Sequence, residues 1–143
     1  SQIEFSGEIP DKEASLALFE RASGGEHFTS YDIEAGLEKL TKKFEKEGFL
    51  FQLDRRLPYE IDGDKWVIRI RCHRIKSIDV RLTGEYDIKE EVVRRRIDAK
   101  PGDFLNVNDF EKYMQRLAEA DQFRKPFLWN ILPIDPDPLR VLK

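Results

Sequence analysis

A chain of 143 residues with 40% hydrophobic and 37% charged side chains has a globular composition, and no apolar run approaches the roughly 20 residues a membrane-crossing helix needs. The formal charge of −3 divides unevenly: residues 1–72 carry 11 basic and 15 acidic groups, residues 73–143 carry 14 and 13, so neither half is a polyanion binder by net charge. Cys72 is the only cysteine, which excludes an internal disulfide and a multi-cysteine metal site.

Residues 2–5 read as a short strand stopped by Gly7, and Pro10-Asp11 then opens a helix carrying Leu16, Leu18 and Phe19 until Gly24-Gly25 ends it. Thr29 is the N-cap of a second helix, with Asp32 three residues on. There Ile33, Leu37, Leu40 and Phe44 form one apolar stripe. Gly48 closes that helix, and Phe49, Phe51 and Leu53 alternate with Leu50, Gln52 and Asp54 as a strand does. This strand is expected over residues 50–57, ended by Pro58. Asp62-Gly63-Asp64 is a hairpin turn leading into a strand in which Trp66, Ile68 and Ile70 alternate with Val67, Arg69 and Arg71.

The pattern then starts again. Ile3-Glu4-Phe5-Ser6-Gly7 returns as Val80-Arg81-Leu82-Thr83-Gly84, and Gly25 returns as Gly102, an offset of about 77 residues. Ile78, Val80 and Leu82 read as a strand and residues 87–99 as a helix broken by Pro101-Gly102. Asn106 replaces Thr29 as N-cap, Asp109 replaces Asp32, and Phe110, Met114 and Leu117 replace Ile33, Leu37 and Leu40. In the tail, Phe123, Phe127, Trp129 and Ile131 suit a strand, and Asp135-Pro136-Asp137-Pro138 suits a turn before a last short strand. With no basic-then-apolar leader and a strand starting almost at once, the chain reads as a processed or excised piece of a longer product.

The strand ending in Gly7 or Gly84, the glycine before the second helix, the apolar stripe with Gly48-Phe49 or Gln122-Phe123 downstream, and the closing hairpin resemble polypeptide-transport-associated (POTRA) domains. The second copy is the closer match, notably in Lys100-Pro101-Gly102-Asp103. The resemblance covers the whole chain as two tandem copies, 1–72 and 73–143. It implies an α+β fold of two β-α-α-β-β modules, each a three-stranded mixed sheet with two helices on one face. It also implies modules in the periplasm, attached to the outer membrane in a longer protein of the BamA/TamA-like kind, in series with a C-terminal membrane β-barrel. Partners of that kind are unfolded outer-membrane proteins or secreted substrates and accessory assembly proteins. Alternatives are spacer domains of a two-partner secretion transporter or a cell-division protein, or an accessory domain ahead of a membrane-attached hydrolase.

The residues offer no catalytic set, cofactor or metal. His27 and His73 lie in different units, and Cys72 beside His73 lacks a third partner, so a small buried or linker cysteine is expected. Asp62-Gly63-Asp64 and Asp135-Pro136-Asp137 lack the further ligands of a calcium loop, and Gly24-Gly25 lacks the lysine of a phosphate cradle. Arg94-Arg95-Arg96, consecutive on a helix, point about 100° apart and read as a solvated face, with contact to anionic lipid headgroups as the functional alternative. The aromatics of residues 49–53 alternate too strictly for a nucleic-acid platform, and no nucleic-acid partner is expected.

Function is therefore expected at sheet edges, where unpaired N–H and C=O groups accept an incoming extended chain. The candidate residues are Phe51, Gln52 and Leu53 in the first copy and Phe127, Leu128, Trp129, Asn130 and Ile131 in the second. Charges at Asp54, Arg55 and Arg56 guard the first edge; the second carries fewer guards and is expected to pair more readily. About three residues separate the units, so their mutual orientation should be restricted, although the interface itself should be limited.

Overall fold

The computed structural model describes residues 2–22, 28–80, 90–119 and 130–131. Their order is β1 (Ile3–Phe5), α1 (Lys12–Ala22), α2 (Ser30–Glu47), β2 (Phe51–Leu53), β3 (Tyr59–Asp62), β4 (Lys65–Ile68), β5 (Ile70–Cys72), α3 (Glu90–Arg96) and α4 (Val107–Ala118). The fold class is α+β.

Helix α2 forms as its caps dictate. The Thr29 side chain accepts from the Asp32 amide while the Asp32 carboxylate accepts from the Thr29 amide, and Gly48 ends the helix at φ 91°. Its stripe of Ile33, Leu37, Leu40 and Phe44 is buried together with Phe19 of α1 and with Ile3, Ile68, Ile70 and Cys72 of the sheet. Each fully buried side chain of this size contributes about 1.5–3 kcal/mol. Gly36 lets α1 come close, because a Cβ there would lie 2.4 Å from the Phe19 ring.

β1 runs parallel to β4, β3 pairs antiparallel with β4, and β2 pairs antiparallel with β5. Positions 66, 68, 70 and 72 keep a single alternation facing the helices, so β4 and β5 are one course of chain interrupted at Arg69. The expected post-helix strand is likewise split, and Pro58 does not end it. Arg69 donates its N–H to the Pro58 carbonyl (2.8 Å), and its own carbonyl accepts from Asp54 N–H (3.1 Å). Proline's missing donor is thus supplied by Asp54, residues 55–57 bulge outward, and pairing resumes at Tyr59. The Gly63-Asp64 turn then closes the hairpin with Gly63 at φ 65°.

In the second half, α4 is capped as α2 is, with the Asn106 side chain accepting from the Asp109 amide. Helix α3 ends at Arg96, short of Ala99, and the Asp98 carbonyl just beyond it accepts from the Tyr113 hydroxyl. Residues 75–80 carry no strand pairing among the described residues; Ile78 and Val80 pack instead on the cluster of Val93, Ile97 and Leu117. Gly24-Gly25, His27, Leu82, Gly84, Phe123 and the expected tail turn lie outside the described residues.

The two halves share backbone hydrogen bonds as well as the linker. Residues 102–107 wedge between the diverging ends of β2 and β5. On one side Gly102 donates to Ile75 O, Ile75 to Asp103 O and Leu105 to His73 O, each at 2.8 Å; on the other, Val107 donates to Gly48 O at 2.8 Å and Leu50 to Leu105 O at 3.4 Å. Phe104 packs against the first core, and the Arg74 guanidinium sits 4.0 Å above its ring while pairing with Glu8. The Asn108 side-chain amide donates to Lys46 O (3.1 Å), so the N-terminus of α4 meets the C-terminus of α2, an arrangement both helix dipoles favour. Backbone pairing of this kind is invisible to a reading that counts linker length alone.

Candidate functional site

The register decides which backbone groups of the outer strand are spent and which are free. His73 donates to Leu50 O (2.9 Å) and Asp54 donates to Arg69 O (3.1 Å), so residues 50, 52 and 54 turn their backbone groups toward β5. Cys72 N–H is taken by Glu8 O on the opposite side (2.9 Å), so it does not serve Phe51. The N–H and C=O of Phe51 and Leu53 therefore point away from β5, to an edge that no other strand among the described residues pairs with. The same parity applies to β3: Trp66 donates to Gln2 O and Ile68 O accepts from Ser6, which leaves the backbone groups of Tyr59 and Ile61 directed outward.

The side chains of this edge divide by face. Phe51 and Leu53 face the core, with the Phe51 ring 5.8 Å from that of Phe44, whereas Gln52 faces outward with Arg71 opposite it. Arg71 reaches across β2 and donates from both Nε (3.3 Å) and Nη2 (2.9 Å) to the side-chain Oε1 of Gln52. Beside it Arg69 pairs with Glu60. Gln52, Arg69 and Arg71, with Arg55 and Asp54, border an open concavity at the Ser6-Gly7 turn. Gly7 is required there: a Cβ would lie 2.4 Å from that of Arg71 and 2.5 Å from Ile70 O.

Asp54 accepts the backbone N–H groups of Leu57 and Arg56, which hold its carboxyl below the usual carboxylate range and organise the bulge. Tyr59 donates to the Glu34 carboxylate, and that bond raises the phenol above its ordinary value while tying β3 to α2. Burial pushes the Cys72 thiol up to about 11, so at neutral pH it is a protonated core residue. No group of three or more metal-ligating side chains occurs among the described residues.

No family model matches the chain, and no curated protein matches it either. Among solved structures it is similar to POTRA domains 1–3 of the periplasmic domain of Omp85 from Anabaena, with a TM-score of 0.57 and 18% identity over 82% of this chain. The chain has a POTRA-like fold. It spans about half of that structure, 53% of its length.

Within this POTRA-like fold, the structure brings Phe51, Gln52 and Leu53 together on an outer strand. Asn130 and Ile131 are described without strand pairing, and Phe127, Leu128 and Trp129 lie outside the described residues. Arg94, Arg95 and Arg96 are exposed in the last turn of α3. Tyr59 and Ile61 fall outside the edge that the sequence predicts, because Pro58 reads there as a strand end. Ile61, 61% exposed, was the available signal: an apolar residue directly before a hairpin turn. Arg71 is not in that prediction either, since its reach to Gln52 depends on cross-strand register.

Proposed function

We propose that this chain is a non-catalytic protein-interaction segment of an outer-membrane assembly or secretion protein, periplasmic in location, comprising two POTRA-like modules at 1–72 and 73–143. Its outer strand takes up an extended segment of a client or partner polypeptide by main-chain pairing, with residues 127–131 as the counterpart in the second module. The observation that carries this reading is the outward pair of backbone donors and acceptors at Phe51 and Leu53, flanked by the guarding bulge of residues 55–57. Pairing through the backbone recognises extension more than sequence, which suits varied unfolded clients. Affinity should be weak, about micromolar or poorer, because water already satisfies these groups in the free protein.

The test pairs two proline variants. Leu53→Pro removes a donor that faces solvent, so the β2–β5 ladder should hold, with some loss of packing where Leu53 meets the core, while peptide binding weakens; Gln52→Pro removes one that faces β5 and should unravel the β2 ladder. The shift of the Phe51 amide on adding an extended peptide should vanish in Leu53→Pro, which keeps no amide of its own at position 53. Full binding by that variant would place the docking site elsewhere.

A second reading, a spacer that sets the distance and angle between other parts of a longer protein, is favoured by the wedge of residues 102–107. A joint built from backbone hydrogen bonds resists bending more than a tether does.

A further inference from the structure

The outer face beside the β2 edge carries a positive charge that the rest of its half does not share. Residues 1–72 have four more acidic than basic groups. Yet the concavity at the Ser6-Gly7 turn is bordered by Arg55, Arg69 and Arg71 with Asp54. Two of these charges are already answered. Arg69 is paired with Glu60, and the Asp54 carboxylate is turned onto the backbone N–H groups of Arg56 and Leu57. Arg71 differs. Like Arg55 it has no carboxylate within salt-bridge distance among the described residues, but both of its bonding nitrogens are held on one neutral oxygen, the side-chain Oε1 of Gln52.

The position of that guanidinium matters as much as its charge. Arg71 belongs to β5, but by reaching the Gln52 amide it carries its head over β2. A strand added to the edge would lie about 4.8 Å beyond β2. Its side chain opposite Gln52, on the same outer face, would then stand within reach of Arg71. A carboxylate there accepts the two donors in fork geometry, which a neutral amide oxygen matches less well.

Resting on the edge-docking reading above, we propose that the β2 edge selects an extended polypeptide segment bearing an Asp or Glu opposite Gln52, held by Arg71. Backbone pairing at Phe51 and Leu53 supplies the attachment. The Arg71 fork supplies the preference and sets the register.

The experiment titrates the 143-residue chain with three short synthetic peptides of alternating threonine and valine, differing only in Glu, Gln or Lys at the central outward position. Amide shifts report both affinity and place. The Glu peptide should bind about two- to fivefold more tightly than the Gln peptide, the range of an exposed ion pair, with the Lys peptide weakest. Arg71→Gln should equalise the three while leaving the shifts at Phe51 and Leu53; Arg71 is exposed, so the variant should keep the wild-type spectrum elsewhere. Equal binding of the Glu and Gln peptides, or a preference that survives Arg71→Gln, overturns the inference and leaves edge docking standing. No shift at Phe51 and Leu53 with any peptide overturns edge docking and the inference with it.

Discussion

Helices α2 and α4 carry the same signals at the same offset, yet they are used differently. Both begin at a cap residue whose side chain accepts from the third helical amide, and both bury a leucine: Leu40 at 0% exposure and Leu117 at 2%. Along α2 four stripe residues are buried, whereas on α4 Phe110 and Met114 are only half-buried among the described residues. One equivalent position explains part of the difference. Where α2 has Gly36 and admits the Phe19 ring against its backbone, α4 has Tyr113, whose hydroxyl donates to Asp98 O at 2.8 Å just past the end of α3. A glycine lets two helices press together; a tyrosine holds the neighbouring chain at the length of a phenol. A common pattern thus specifies which face is apolar, while the volume at one position decides how tightly that face closes.

The sharpest way to break the comparison is to empty both cores. Leu40→Ala and Leu117→Ala should each cost about 2–5 kcal/mol in chemical denaturation, since both leave a cavity. Because residues 102–107 are stitched to β2 and to the linker, hydrogen exchange at Leu105 and His73 should quicken in Leu117→Ala. Protection there unchanged from wild type would show the halves to be independent.

A second test exchanges the spacing. Gly36→Ala should destabilise by about 1–3 kcal/mol, because the added methyl overlaps the Phe19 ring in a filled core. Tyr113→Phe should cost only about 0.5–1.5 kcal/mol, the value of one hydrogen bond. Equal losses from the two would mean that Gly36 is not a packing contact. Between these in size stands Gly48→Ala, at about 1–2 kcal/mol for a left-handed alanine. It should also loosen the joint, since the new Cβ would lie 2.6 Å from Asn108 Cγ. Displaced amide signals for Asn106, Val107 and Leu105 would register that loosening; an unperturbed joint would separate Gly48's conformational role from its packing role.

Local signals were legible without the structure. The Thr29 and Asn106 caps, the Gly48 stop, the Gly63 turn and the alternation of Trp66, Ile68 and Ile70 depend on residues within a few positions of one another. Short-range sterics and hydrogen bonding act on them directly. The outer strand was half legible: Phe51 and Leu53 were placed, but the resumption at Tyr59 was not, because it depends on Asp54 donating to the carbonyl of Arg69, distant in sequence. Only the tertiary structure decided the Gly36–Phe19 approach, the Arg71 fork over Gln52 and the insertion of residues 102–107 between β2 and β5. Each joins groups far apart along the chain. Their sequence signals are single residues with no period, and which partner they meet is decided when the helices and strands pack.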